Sequence, residues 1–240
     1  MMRKLSLHRI HVWSIGLVLC LMGCNTTKFV PKGEYLLNKA NIKVEDTKEV
    51  AVSDLKNYLQ QKQNTEILGF WKLQLGIYNT ASLDTTKWTS KNARRIGEAP
   101  VIYAPELTDR SIMQLRKAMQ NKGYFTAKVD TTMTVKDRKV NLTYRVHAGE
   151  PYMIRRYRVD FQHDELKQIA QDQRTLISEG MQFDVDMLNQ ERQRIARAMR
   201  RNGCYYFDED MIQFVADSTR LKKQVDVTVK LSDYVTQLSP

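Results

Sequence analysis

The chain has 240 residues, 42% of them hydrophobic, which is enough for one large domain or two small ones. Its three cysteines fall short of a disulfide-built scaffold, and no Cys/His spacing suits a zinc site. A formal net charge of +11 points toward anionic lipid headgroups or an acidic partner.

Arg3, Lys4 and Arg9 precede an apolar stretch over residues 12–21. That stretch is shorter than the ~20 residues a spanning helix needs, so it reads as a targeting segment. It closes on Leu21-Met22-Gly23-Cys24, which resembles the lipobox at which bacterial lipoproteins are cleaved and acylated. Residues 1–23 are therefore expected to form a lipoprotein signal peptide, Cys24 the lipid attachment site, and residues 24–35 an N-terminal tether. Cys20 leaves with the signal, and Cys204 remains as a small, at least half-buried filler. The net charge falls to +8 once Arg3, Lys4 and Arg9 go, because residues 1–23 hold no acid. Behind an export signal this charge suits headgroups or an acidic protein, and nucleic acid is not expected as a partner. After Cys24 no apolar run is long enough to span a membrane as a helix.

Residues 36–44 alternate like a strand and residues 52–61 suggest a helix. A long insertion over 62–107 precedes a second helix at 108–122. In the insertion, Ile67, Leu68, Phe70, Trp71, Leu73, Leu75, Ile77 and Tyr78 crowd together, and residues 71–77 alternate as a strand would. Phe70, Trp71, Leu73 and Leu75 form a candidate hydrophobic patch for a bilayer interface or a client. Residues 79–95 read as an exposed loop or frayed helix.

The helix ending Leu115 to Phe125 recurs in diverged form from Ile195 to Tyr205. Both copies carry an apolar stripe, Leu115, Ala118 and Met119 in one and Ile195, Ala198 and Met199 in the other. Both stop at a glycine, Gly123 and Gly203, where a helix end favours a left-handed residue. A hairpin follows each. In the first, Phe125, Ala127 and Val129 alternate with polar residues, Lys136-Asp137-Arg138 turns, and Val140, Leu142, Tyr144 and Val146 return. In the second, Ile212, Phe214 and Ala216 lead through a turn over 217–223 to Val225, Val227, Val229 and Leu231. Period two with one apolar face predicts half-buried sheets covered by helices. Upstream of the second helix and hairpin lie a strand over 152–161 and a helix over 165–177, with Asp184 as N-cap of the next helix.

Catalytic constellations are missing. His147 ends a strand on its polar side, His163-Asp164-Glu165 suits a helix start, and no nucleophile elbow or phosphate loop occurs. The chain is expected to be no enzyme, with no cofactor and no metal. Arg192, Arg194, Arg197, Arg200 and Arg201 read as a basic, solvent-facing helical stripe.

The repeated β-α-α-β-β unit resembles the POTRA domain, and the chain is similar to the N-terminal part of the BamA/TamA family of outer-membrane assembly factors, most to its lipidated TamL branch. The resemblance rests on residues 29–38 (FVPKGEYLLN), 68–79 (LGFWKLQLGIYN) and 96–101 (IGEAPV), with Gly123-Tyr124-Phe125, Gly149-Glu150-Pro151-Tyr152 and Glu191-Arg192-Gln193-Arg194-Ile195. Gln63-Asn64 departs from the proline the family favours there. The resemblance implies an α+β fold of tandem POTRA-like units, each a mixed three-stranded sheet covered by two helices, at residues 36–149 and 150–233. Residues 234–240 would be a truncated tail, with no β-barrel present. It also implies binding of unfolded outer-membrane proteins by strand addition, with a TamB-like protein as a further partner and a lipid-anchored place on the periplasmic side of the outer membrane. The candidate edges are Thr126, Ala127, Lys128 and Val129 in the first hairpin and Ile212, Gln213 and Phe214 in the second. The alternative is a free-standing periplasmic lipoprotein scaffold that holds an envelope complex together.

Overall fold

A computed structural model describes residues 26–69, 71–172, 174–219 and 223–232. The signal segment, Cys24, Phe70 and the tail over 234–240 lie outside the described residues. The elements are β1 (Leu36–Val44), α1 (Val52–Leu55), α2 (Leu73–Thr80), α3 (Trp88–Ile96), α4 (Pro105–Asn121), β2 (Lys128–Lys136), β3 (Lys139–His147), β4 (Met153–Val159), α5 (Asp164–Gln171), α6 (Val185–Arg201), β5 (Ile212–Thr219) and β6 (Gln224–Leu231). The fold is α+β as expected, with two three-stranded sheets ordered β1-β3-β2 and β4-β6-β5. Both sheets are open, so no barrel closes among the described residues.

Both sheets are mixed. The Leu36 N–H bonds the Arg138 carbonyl and the Glu45 N–H the Val146 carbonyl, so β1 rises parallel to β3. Strand β4 pairs parallel to β6, and β5 antiparallel to it. The central strands bury every second residue, Val140, Leu142, Tyr144 and Val146 in β3 and Val225, Val227 and Val229 in β6. A two-residue turn joins β2 to β3, with Asp137 at φ 50° and Arg138 at φ 59°. This is the left-handed pair that matches the strands' twist.

Compactness groups the chain into two units, the described residues of Met1–Asn41, Gln60–Asp109 and Thr131–Tyr144 in one and those of Ile42–Leu59, Arg110–Asp130 and Arg145–Pro240 in the other. In the first, Val30, Leu36 and Leu75 pack together with Ile102 against them, and Leu37, Val140, Leu142 and Tyr144 are also buried. Among the described residues of the second, two clusters stand out. One joins Val159, Phe161, Ala170, Ile195, Met199, Phe207, Ile212 and Val229, and the other Tyr152, Ile154, Ile177, Phe183, Leu188, Val225 and Val227. Each fully buried aliphatic side chain contributes about 1.5–3 kcal/mol. Gly123 has φ +85°, and an added Cβ would lie 2.5 Å from the Phe183 carbonyl oxygen. Glycine is required there by backbone conformation and by space together. Gly203, at φ +97°, ends α6 in the matching way.

Several local expectations are corrected. The helix expected over 52–61 is only α1 and a 3₁₀ turn, Lys56–Tyr58. Val52, Ser53, Asp54 and Asn57 are weak helix formers, and the chain bends at Gln60 and Gln61, where the Gln61 side chain donates to the Ile102 carbonyl and accepts from the Ala104 N–H. The strand that the alternation of residues 71–77 suggested does not form; Leu73–Thr80 is helix α2. Seven residues satisfy both periods, and burial of Leu75 and Asn79, four apart, selects the helical one. Of residues 79–95, expected as an exposed loop or frayed helix, the first two close α2, 81–87 are loop, and from Trp88 on they form α3, so the helical alternative holds for the second half.

Helix α6 begins at Asp184, whose side chain accepts from the Asp186 N–H as expected of an N-cap. Its arginines do not form one wet stripe. Arg194 is buried, Arg192 lies over the Phe214 ring at 5.5 Å, and Arg197, Arg200 and Arg201 face outward. The reason is Glu191, which sits on the buried face at 0% exposure. One Glu191 oxygen accepts from the Tyr157 hydroxyl (2.9 Å), Thr175 Oγ1 (2.8 Å) and Arg194 Nη2 (2.9 Å). The other accepts from the Leu176 N–H (3.0 Å) and Arg194 Nε (2.8 Å), and Arg194 Nη2 also donates to the Ala170 carbonyl (2.7 Å). Burial by itself would raise the Glu191 carboxyl, but the bonds from Arg194, Leu176 and Thr175 hold it below the usual carboxylate range. Burial and the adjacent carboxylate push the Tyr157 hydroxyl far upward. One carboxylate thus ties β4, α5, the following loop and α6 together.

Replacing Glu191 by Leu strands the Arg194 charge in the core and should cost about 3–5 kcal/mol in urea denaturation. Adding Arg194→Leu should recover part of that loss. A single variant as stable as wild type would show that the network does not hold this unit together.

Candidate functional site

A three-stranded sheet has two edge strands, each with a row of backbone groups facing outward. In the first sheet these are β1 and β2. The outer side of β1 is occupied from Tyr35 to Ala40. Leu37 N–H donates to the Val101 carbonyl, Tyr103 N–H to the Tyr35 carbonyl, and Ala40 N–H to Gln63 Oε1, at 2.8, 2.8 and 2.6 Å. Lys72 reaches the Asn38 carbonyl. Burial lowers the Lys72 ammonium, and Glu66 opposes that shift. The insertion therefore covers this edge. Strand β2 is the opposite case, exposed from Thr132 onward, with Met133 and Val135 each 49% accessible.

The second sheet repeats the asymmetry. Over the first part of β4, residues 180–183 pair with its outer side. Ile154 N–H donates to the Met181 carbonyl (2.7 Å), Gly180 N–H to the Ile154 carbonyl (2.7 Å), and Phe183 N–H to the Tyr152 carbonyl (2.9 Å). Among the described residues strand β5 pairs with β6 alone, from Ile212 opposite Leu231 to Thr219 opposite Gln224. Among the described residues, each sheet thus has one edge covered over its first part and one edge, the outer strand of a hairpin, with no strand on its far side.

The candidate edge residues divide accordingly. Thr126 and Ala127 precede β2, and Ala127 is buried, whereas Lys128 and Val129 open the strand. Counting back from the two-residue turn, the Val129 N–H points away from β3. In β5, the Ser232 N–H bonds the Met211 carbonyl. By alternation the Gln213 N–H then enters the ladder opposite Lys230, while those of Ile212, Phe214 and Ala216 point outward. Ile212 buries its side chain and Phe214 lies under Arg192, so both offer backbone rather than side chain. Of the candidate patch, Trp71 and Leu73 are partly exposed, but Leu75 is fully buried against Val30 and Leu36 and takes no part in it. His147 closes β3 beside Asp130, which also accepts from Arg145 (2.7 Å). The Arg145 bond holds the Asp130 carboxyl below its ordinary value.

One feature of the β4 edge escapes a period-two reading. The register of β4 on β6 shifts between Ile154 and Arg156, a bulge that inserts Arg155. Arg155 and Arg156 consequently both reach Asp226, Arg155 at 2.7 and 2.5 Å and Arg156 Nη2 at 2.8 Å. Asp226 lies opposite Asp217 on β5, a like-charge pairing that the two guanidiniums offset. Two consecutive arginines inside an alternating strand are the signal that could have located the bulge.

Residues 39–149 match the POTRA family model, described as a surface antigen variable number repeat. Among curated proteins none matches the chain. Among solved structures, BamA POTRA3-5 of Haemophilus influenzae shares 15% identity at a TM-score of 0.44, over 85% of this chain and 69% of that one. BamA from Haemophilus ducreyi lacking POTRA domains 1-3 shares 16% identity at a TM-score of 0.40, over 82% and 29%. POTRA1-2 of the periplasmic domain of Omp85 from Anabaena shares 9% identity at a TM-score of 0.34, over 83% and 96%. The chain thus spans less than a third of the Haemophilus ducreyi chain. The POTRA resemblance of the first repeat holds for residues 39–149.

The Arg155 hydrogen bond, with Arg156 beside it, depresses the Asp226 carboxyl well below the ordinary carboxylate range. A depressed group stabilises the fold above its unfolded pKa of ~4 and loses that contribution as pH falls through its folded value. Wild type should therefore melt above Asp226→Asn at pH 7, and the gap should narrow steadily from about pH 5 to pH 2. A gap independent of pH would overturn the role given to this carboxylate.

Proposed function

We propose that this chain is the periplasmic, client-binding part of an outer-membrane protein assembly or translocation factor of the TamL-like branch. Its work is binding rather than chemistry. Unfolded outer-membrane polypeptides add as strands to the open edges, β2 and β5. The carrying observation is that the first part of the opposite edge of each sheet is already covered, while among the described residues β2 and β5 keep an outward row of backbone groups along their whole length. Backbone hydrogen bonding makes little demand on client sequence, as a factor with many clients requires. The domain bounds in this reading are 36–149 and 150–233, and each three-stranded sheet falls within one of them. A TamB-like protein is the proposed partner, and acylated Cys24 holds the chain on the periplasmic side of the outer membrane.

Proline at Val129 or Ala216 removes an outward donor while sparing the ladder, so both variants should stay folded. Crosslinking of an unfolded outer-membrane polypeptide should drop in each and be lost in the double variant. Undiminished crosslinking in the folded double variant would sink strand addition and move attention to Trp71, through Trp71→Ala.

Mass spectrometry of the mature N-terminus should find a diacylglyceryl group on Cys24. Cleavage elsewhere, or cleavage without lipid, would remove the anchor from this reading.

A further inference from the structure

The insertion does more than cover β1. Ser90 on α3 is buried: its Oγ accepts from the Ser82 N–H at 3.0 Å, and the Ser82 carbonyl accepts from Arg94 Nη2 at 3.2 Å. These bonds fix the inner face of α3. At 100° per residue, the opposite face carries Trp88, Lys91 and Arg95, one and two turns apart. All three are exposed, Trp88 to 77%, with Lys87 just before the helix and Leu83, 76% exposed, in the preceding loop. The helix holds no acid. Tryptophan beside lysine and arginine on one outward helical face is the pattern of an interfacial helix: the indole enters the headgroup boundary and the cations meet anionic lipid.

The N-terminal segment supplies a second, independent observation. Lys28 Nζ donates to the carbonyls of Asn79 (3.0 Å) and Ala81 (2.6 Å), at the C-terminal end of α2. The Phe29 ring meets the Tyr78 ring edge-on at 5.3 Å, and the Arg94 guanidinium covers Phe29 at 5.2 Å. The chain is therefore fastened to the α2–α3 corner only four residues after Cys24. Four residues span at most ~14 Å. Acyl chains on Cys24 would bring a bilayer surface within that reach of the corner from which α3 projects.

We infer that the outward face of α3, made by Leu83, Lys87, Trp88, Lys91 and Arg95, docks on the anionic phospholipid surface of the leaflet that holds the chain. In naming that leaflet the inference rests on acylation of Cys24; the affinity for anionic lipid does not. Docking would fix the first unit against the membrane instead of leaving it on a free tether.

The test mixes the full chain with nanodiscs of phosphatidylcholine alone or with added phosphatidylglycerol and follows amide hydrogen exchange over residues 83–96. Phosphatidylglycerol should slow that exchange by about tenfold or more, because each basic residue at such a surface adds roughly fivefold in binding. Brominated lipid should quench emission that Trp88→Phe removes. The triple variant Lys87→Glu, Lys91→Glu, Arg95→Glu should lose both effects while exchange in β6 stays at the wild-type rate. No protection in wild type, or equal protection on phosphatidylcholine alone, overturns the inference. Intact mass of the same sample reports Cys24 separately. Protection without an acyl group overturns the anchor but leaves the docking face standing, and an acylated chain with no protection does the reverse.

Discussion

Each sheet of this protein has one strand paired on both sides, so four strand edges must be covered or left to water. That constraint organises the rest of the structure. An unpaired backbone row is costly when buried and an invitation to another strand when exposed. Among the described residues the chain answers it twice in the same way, covering the first part of the strand that enters the sheet and leaving the outer hairpin strand without a neighbour on its far side. In the first sheet the cover is the insertion, through Val101, Tyr103, Gln63 and Lys72. In the second it is the short segment before α6, through Gly180, Met181 and Phe183. The bulge at Arg155 further spoils β4 as a template, since it breaks the even spacing an added strand would need.

The two principal charge clusters follow different physics. Glu191 and Arg194 are withdrawn from water, and their pairing is tolerable because five bonds satisfy the carboxylate. Such a pair fixes geometry more than it adds stability. Here it sets the position of the loop between α5 and α6, and that loop leads into the cover of the β4 edge. Asp226 with Arg155 and Arg156 lies at the surface, where water screens the attraction. Its use is local: it quiets the repulsion from Asp217 across the strand pair and holds the bulge in place.

The insertion joins these themes. Its inner side completes an edge and a small core through Leu75 and Asn64, whose side chain bonds the Ala99 carbonyl and the Val101 N–H. Its outer side carries the cationic, tryptophan-bearing face of α3. A segment held rigidly to the sheet on one side can present a fixed surface on the other.

The order of elements, the diverged repeat, the glycines ending two helices and the alternation of the central strands were legible in the sequence because each depends on neighbours within a few residues. Period two marked β3 and β6, and Asp184 marked a helix start. The short insertion segment was not legible, since residues 71–77 fit two periods and only the burial of Leu75 and Asn79 chooses between them. Nor was the burial of Glu191 and Arg194, because a charge enters a core only when distant groups, here Tyr157, Thr175 and Ala170, converge on it. The sequence by itself marked the six strands of the two sheets and which of their faces are apolar, while the alternation over 71–77 marked a strand that does not form. Only the tertiary structure decided which edges stay open, because covering an edge requires backbone from residues as far apart as Leu37 and Val101, a pairing that no local pattern encodes.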